Sequence, residues 1–261
     1  MHANERESVI LDLLAQKGFV SFRELDARLA DSPATIRRDL ERLAGEGRLA
    51  RVRGGAKAVV AAAPDGVFHP HLAGAPFHEN ITLSPKEKAA IGKAAAALCV
   101  PGEGVMIDGG STTLQMCPHL AGLNLQVLTN SLHIVSALLG QQGTRVLVPS
   151  GTVFPEQNII LSVFGDDGMP RFHAPKLFMG AAAIGPQGLM QADVVLVAAE
   201  RRLIERADEI IVLVDATKFA VPSGNVVCEL ADIDTIITDA RIGRDTADMI
   251  AAAGVRLIIA D

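Results

Sequence analysis

Apolar residues recur with two different periods along this chain, and the change of period divides it. Over the first fifty residues the spacing is helical. Val9, Ile10, Leu13 and Leu14 fall at i, i+1, i+4 and i+5, with Gly18 as a stop. Ser21-Phe22-Arg23-Glu24 reads as a capping box opening a second helix with Phe22, Leu25 and Leu29 on one face. Asp31-Ser32-Pro33 opens a third: Ser32 caps, Pro33 takes the first turn where its missing N–H costs nothing, and Ile36, Leu40 and Leu43 form the core stripe. From Ser84 the pattern changes. "SPKEKAAIGKAAAALC" predicts a helix with a Ser84/Glu87 capping box. It is followed by short apolar runs alternating with helical stretches: residues 104–108, 125–130, 144–151, 176–184, 209–216, 234–239 and 255–261. Continuous apolar runs of this length suit strands buried on both faces of a mostly parallel sheet. The predicted class is α/β, with domains at 1–58 and 84–261. The Ala-, Pro- and Gly-rich stretch 59–83 between them reads as a linker.

At 100° per residue, Ala34, Thr35, Arg38 and Arg42 fall opposite the core stripe of the third helix, with Arg37 flanking. The following "GRLARVRGGAKAV" alternates. It places Leu49, Arg51 and Arg53 on one parity and allows a hairpin turn at Gly54-Gly55, with Lys57 beyond it. Two readings share this pattern. One is a three-helix bundle whose arginines only solvate it. The other is a winged helix-turn-helix presenting small and basic residues to a DNA groove.

Composition narrows the choice. The chain has 261 residues, 49% hydrophobic and 21% charged, a globular balance with ample core. A net charge of −6 argues against DNA only until it is divided. Residues 1–58 hold 11 of the 24 bases and 9 of the 30 acids, a balance of +2 that leaves −8 for the rest. Charges beyond about 10 Å are screened at cellular salt, so a local basic face acts independently of a distant acidic domain. With no Trp or Tyr and only nine Phe, stacking-driven single-strand binding is disfavoured. Cys99, Cys117 and Cys228 are odd in number and far apart, which suits reduced residues of an intracellular protein. No apolar run reaches 18 residues and the charged N-terminus lacks a signal core, so the expectation is a cytoplasmic protein without a membrane partner. His69, His71 and His78 have no acidic or cysteine partner at zinc spacing, and no metal is expected there.

In parallel α/β sheets ligands bind at the carboxyl ends of strands. The expected ends here are Asp108-Gly109-Gly110-Ser111-Thr112-Thr113, Thr129-Asn130, Ser150-Gly151, Gly180, and Asp215 to Lys218. Two glycines before Ser111, Thr112 and Thr113 suit close approach of an anion to free N–H groups and hydroxyls. A plain capped turn explains the same residues. Lys218 beside Asp215 is either an anion-neutralising lysine or a surface ion pair. The loop is neither a P-loop nor G-x-G-x-x-G, so no nucleotide cofactor is implied.

"GFVSFRELDARLADSPATIRRDLERLAGEGRLARVRGGA" resembles the winged helix of the DeoR family of bacterial transcription regulators. The family's Ser-x-x-Thr-[Ile/Val]-Arg-Arg-Asp-Leu run is present as Ser32, Thr35, Ile36, Arg37, Arg38, Asp39 and Leu40. "EKAAIGKAAA", "DGGSTT", "LTNS" and "VLVDATKF" are similar, in order, to that family's sensor half, whose fold resembles ribose-5-phosphate isomerases and coenzyme A transferases. The sequence departs from the family where Pro76-Phe77 is followed by His78, Glu79 and Asn80 rather than Arg, and where Ser150-Gly151 replaces a Gly-Gly pair.

The resemblance implies a repressor of a carbohydrate-use operon. Double-stranded operator DNA would be held by Ser32, Ala34, Thr35, Arg37, Arg38, Arg42, Arg51, Arg53 and Lys57. A small anionic sugar or sugar phosphate would be sensed by Asp108 to Thr113, Thr129, Asn130, Gly151 and Lys218. Gly180 and Asp215 join that set as strand ends. Reading paired half-sites calls for a homodimer or homotetramer. The competing expectation is an isomerase-like enzyme, for which Asp108, Glu200 and Asp215 are the available carboxylates, although the isomerases' acidic motifs are not visible.

Overall fold

The computed structural model describes the chain except residues 1–5, 8, 12, 15–18, 30, 46–47, 53, 59–71, 163–169 and 221–223, and leaves the side chains of 19, 23 and 58 undescribed. Gly18, Arg53, His69 and His71 therefore lie outside the described residues. Two compact units form, Met1–His69 and Pro70–Asp261.

In the first unit, described residues between 6 and 14 are helical, followed by β1 (Phe19–Ser21), α1 (Phe22–Arg28), α2 (Pro33–Gly45), β2 (Leu49–Val52) and β3 (Gly55–Ala58). The periodic apolar positions form its core: Ile10, Leu13, Leu14, Leu25, Leu29, Ile36, Leu40 and Leu43 are all buried together. Ser21 caps α1 by accepting from Glu24 N at 3.2 Å, and Ser32 accepts from Thr35 N at 3.2 Å at the start of α2. The sheet has the order β1-β3-β2 and is antiparallel throughout. Strand β1 was not foreseen, because three residues before a helix cap show no measurable alternation. The hairpin turn lies one residue earlier than expected. Val52 pairs with Gly55, so Gly55 is already in β3, and Gly54 holds the turn's left-handed conformation at φ 88°.

The second unit is built on a seven-stranded sheet of order β15-β14-β12-β9-β4-β5-β6. Its strands are β4 (Gly104–Ile107), β5 (Gln126–Leu128), β6 (Arg145–Leu147), β9 (Ala174–Met179), β12 (Ala207–Leu213), β14 (Thr235–Asp239) and β15 (Arg256–Ala260), and every neighbouring pair is parallel. They correspond one to one with the seven apolar runs. Two apolar clusters cover the faces, one containing Met106, Leu177 and Val212, the other Val105, Phe178 and Ile211. Adjacent residues of a strand thus point into different cores, which is why these strands read as unbroken apolar runs.

Five further strands are antiparallel and were not foreseen: the β7 (Thr152–Phe154)/β8 (Ile159–Leu161) hairpin, and the sheet of β10 (Ala183–Gly185), β11 (Gly188–Gln191) and β13 (Asn225–Cys228). The run 176–184 is consequently split between β9 and β10. The helices are α3 (Phe77–Asn80), α4 (Pro85–Ala96), α5 (Leu132–Leu138), α6 (Val194–Ile204) and α7 (Arg244–Ala252). The expected Ser84/Glu87 capping box is absent. Ser84 sits in the left-handed region at φ 48° without a side-chain cap, its hydroxyl accepts from Arg241, and Glu87 pairs with the same guanidinium at 3.3 Å. Residues 72–83 are packed rather than linking: Leu72 is buried against Phe154, Ile159 and Leu161, and Phe77 stacks on His133 at 4.1 Å.

The strand order places the ligand end. From β4 the chain steps outward through β5 and β6. It then returns to the other side of β4 with β9 and proceeds outward through β12, β14 and β15. The direction reverses between β4 and β9, so the loops leaving the carboxyl ends of these two neighbours diverge and open a crevice.

Candidate functional site

In the first unit, α2 turns its apolar stripe inward and leaves the opposite side open. Ala34, Arg37 and Arg38 are exposed and Thr35 is half-buried. Ser32 is engaged as the cap, with its hydroxyl 2.9 Å from that of Thr35. The Arg37 guanidinium lies over the Phe22 ring at 5.0 Å, a cation–π contact that holds it toward α1. Arg38 has no ion-pair partner among the described residues. Asp39, the acid of the matched run, is buried and accepts from Arg6 Nε at 2.8 Å, binding the first helix to α2. It is structural.

Two of the arginines expected to contact DNA also form ion pairs within the unit. Arg42 pairs with Glu7 at 2.7 Å, and Arg48 pairs with the same carboxylate, whose pKa both lower. Arg51 reaches back from the wing to Glu41 of α2 at 2.7 Å. Lys57 is exposed on β3, and Arg53 lies outside the described residues.

In the second unit a cleft of about 280 Å³ opens where the sheet order reverses. One wall is the loop after β4, Gly109 to Thr112. Another is Gly180 to Ala182 after β9, and Lys218 follows β12. These three come from the carboxyl ends of neighbouring strands, as expected. The remaining walls were not expected as effector-binding: Ala73 to Ala75, Phe77 and Asn80 from the packed segment before α4, Gln157 and Ile159 from the β7/β8 hairpin, Gln191 at the end of β11, and Glu200 of α6, which the sequence offered only as a carboxylate for the isomerase-like alternative. Asp193 caps α6 by accepting from Val195 N at 2.7 Å, and its other oxygen accepts from Ala73 N at 2.9 Å.

Of the twelve expected effector residues, six line this cleft: Gly109, Gly110, Ser111, Thr112, Gly180 and Lys218. The other six lie behind it or away from it. Asp108 is buried beneath the loop, accepting from Asn130 Nδ2 at 2.7 Å, while Asn130 Oδ1 accepts from Gly109 N at 2.8 Å. Burial raises Asp108 to about 6 against these hydrogen bonds. Thr113 donates to the Asp108 carbonyl at 2.8 Å and opens a short 3-10 turn, Thr113–His119, rather than an α-helix. Thr129 accepts from Ser131 N at 3.1 Å. Asp215 is buried as the cap of the turn Ala216–Phe219, held by Thr217. Gly151 immediately precedes β7, where a Cβ would meet the Leu161 carbonyl oxygen at 2.3 Å, and it is not in the cleft. These residues shape the loops that carry the lining ones.

Gly109 has a similar explanation. A Cβ there would stand 2.6 Å from Ile159 Cγ2, so the first glycine is demanded by packing against β8. Beneath the rim, Lys88 of α4 is buried and donates to the Asn80 carbonyl. Its pKa is lowered by burial, with Asp215 opposing and Lys218 adding to the effect. Among the described residues, no three His, Cys, Asp or Glu side chains are grouped to hold a metal, and no helix is long and apolar enough to cross a membrane.

Comparison with known proteins matches residues 6–61 to a DeoR-like helix-turn-helix domain and residues 83–240 to a DeoR C-terminal sensor domain. The HTH-type transcriptional regulator UlaR of Shigella dysenteriae serotype 1 is 30% identical over 254 residues, covering 97% of this chain and 98% of that one. The protein of the same name from Escherichia coli (strain K12 / DH10B) matches equally, at 30% identity over the same shares. Among solved structures, a probable sor operon regulator from Shigella flexneri is similar with a TM-score of 0.43 and 10% identity, covering 64% of this chain and 88% of that one. Ribose 5-phosphate isomerase A from Methanocaldococcus jannaschii gives a TM-score of 0.38 and 16% identity over 51% of this chain and 53% of that one.

Proposed function

We propose, for a chain that belongs to the DeoR family of transcription regulators, that α2 and the wing bind double-stranded operator DNA to repress a carbohydrate-use operon, and that a phosphorylated sugar or related anionic sugar metabolite in the cleft controls that binding. The observation that carries the DNA reading is the open face of α2: Ala34, Thr35, Arg37 and Arg38 face away from a core made by Ile36, Leu40 and Leu43. Small residues at the helix start admit close approach to base edges. Arg38, without an ion-pair partner among the described residues, is placed to reach a guanine edge or an adjacent phosphate. Lys57 and Arg53 of the wing contact backbone, whereas Arg42 and Arg51 are committed to Glu7 and Glu41 and act by orienting α2 and the wing.

The cleft supports the effector reading. It lies at the point of strand-order reversal and presents backbone N–H groups, the Ser111 and Thr112 hydroxyls and Lys218, the sole lining cation among the described residues. An anion held there draws the loops after β4, β9 and β12 together. A 10- to 100-fold change in operator affinity needs only about 1.4–2.8 kcal/mol of coupling, carried through a homodimer or homotetramer that sets the spacing of two α2 helices. Relatives matching the full length are named transcription regulators, which favours this reading over an isomerase.

The test uses duplexes selected from a randomised pool by the full-length protein. Arg38→Ala is expected to lower affinity for the selected duplex at least about tenfold, the scale of one good base or phosphate contact, with an unchanged melting temperature. Equal affinity in the variant refutes the assignment.

A further inference from the structure

Among the described residues, Glu200 is the sole acid lining a cleft read as an anion site, and that reading does not explain it. Its side chain is only 2% exposed. Oε1 accepts from Gln191 Nε2 at 2.6 Å, while Oε2 is buried with no hydrogen-bond partner among the described residues. An orphaned buried oxygen costs stability, and a leucine or methionine would fill the space without that cost. The cleft is also graded in depth. Glu200, Leu213 and Val214 are buried at its floor, while Gly110, Ser111 and Lys218 are half-buried nearer its mouth.

We infer that Glu200 is the specificity residue of this cleft: its free carboxyl oxygen pairs with a hydroxyl or carbonyl oxygen of the ligand's carbon body, which enters first, while the anionic group stays at the mouth by Lys218 and Gly110 to Thr112. The inference rests on the anionic-sugar reading of the site and adds what that reading lacks, an orientation and a reader of the uncharged end. An acid in an anion's cleft is compatible with the ligand when it is neutral. Burial pushes Glu200 well above the ordinary carboxylate range, the nearby Asp108 charge pushes it further, and only the Gln191 hydrogen bond opposes them. In its protonated form the Oε2–H group donates. Gln191 occupies Oε1, and Oε2 is the carboxyl atom without a hydrogen-bond partner among the described residues.

The test measures binding of inorganic phosphate, glycerol 3-phosphate, ribose 5-phosphate and sorbitol 6-phosphate to full-length wild type, Glu200→Gln and Glu200→Leu by calorimetric titration. Wild type is expected to prefer at least one of the three organic phosphates over inorganic phosphate by tenfold or more. Glu200→Leu is expected to lose that preference at least tenfold while inorganic phosphate binds within twofold of wild type. Glu200→Gln, whose amide donates where the acid did, is expected to keep the preference within threefold. Glu200→Met provides the same comparison should the branched leucine impair folding. A preference undiminished in Glu200→Leu and Glu200→Met overturns the role of Glu200. A loss in Glu200→Gln as large as in Glu200→Leu overturns the donated proton. If wild type itself prefers none of the organic phosphates, the anionic-sugar reading fails first and this inference fails with it.

Discussion

Replacing Gly92 by alanine separates two effects of opposite sign. Gly92 lies inside α4, where glycine is about 1 kcal/mol less favourable than alanine, so propensity alone makes Gly92→Ala stabilising. The tertiary structure reverses that. A Cβ at this position would stand 2.5 Å from the Gln115 carbonyl carbon, 2.5 Å from Gln115 Cβ and 2.7 Å from the Gln115 oxygen. Two of the three are backbone atoms and have no rotamer through which to move away. Overpacking a filled core costs about 1–3 kcal/mol, and a clash with main chain belongs at the upper end, so the net loss is about 2 kcal/mol. For a unit of this size, Pro70–Asp261, each kcal/mol lowers the midpoint by about 2–4 °C, giving an expected fall of about 4–8 °C. Differential scanning calorimetry of full-length wild type and variant, following the second unit's transition, measures it. The displaced segment, Thr113–His119, directly follows Ser111 and Thr112, so ligand affinity falls as well. A midpoint equal to or above wild type refutes the close approach of α4 to this turn.

Two further outcomes test the site's supports. Asp108 titrates near 6 in the folded protein against an ordinary 3.8, so between roughly pH 4 and 6 the folded state binds more protons than the unfolded one. Stability therefore falls as pH rises through that window and then levels, by about 3 kcal/mol for a shift of some two pK units. Asp108→Asn, which still accepts from Asn130, removes this slope in melting temperature against pH; an unchanged slope contradicts the burial of that carboxyl. Asp193→Ala deletes both the α6 cap and the anchor of Ala73 N. It is expected to cost about 1 kcal/mol of stability and about fivefold in ligand affinity, read by thermal melting and titration. Loss of stability with unaltered affinity would show that the Ala73 wall does not depend on the anchor.

The open face of α2 was legible because a single helix sorts its own residues. Once Ile36, Leu40 and Leu43 face a core, 100° per residue sends Ala34, Thr35 and Arg38 outward whatever that core contains. The same logic could not tell Arg38 from Arg42. Both lie on the outward side, and only the first helix, arriving with Glu7, commits one of them to an ion pair. Glu200 was harder still. The sequence offered it only as an available carboxylate for the isomerase-like alternative, and its burial comes from Gln191 and the strands of the antiparallel sheet that pack over α6.

By itself the sequence determined the division into a small basic unit and a larger acidic one, the helices of the first, the seven strands of the second, and the loop after β4 that forms one wall of the cleft. Each of these depends on local periodicity or on a strand buried on both faces, and both leave a mark within a few residues. Only the tertiary structure decided the strand order, the antiparallel strands that flank the sheet, and the far walls of the cleft. Pairing between residues as far apart as Val105 and Lys176 leaves no periodic trace in either partner. Asp108, Thr113, Asn130 and Asp215 fell beneath the cleft for the same reason. The sequence shows which residues end a strand, but whether a side chain supports a loop or faces a ligand depends on neighbours brought in from elsewhere in the chain.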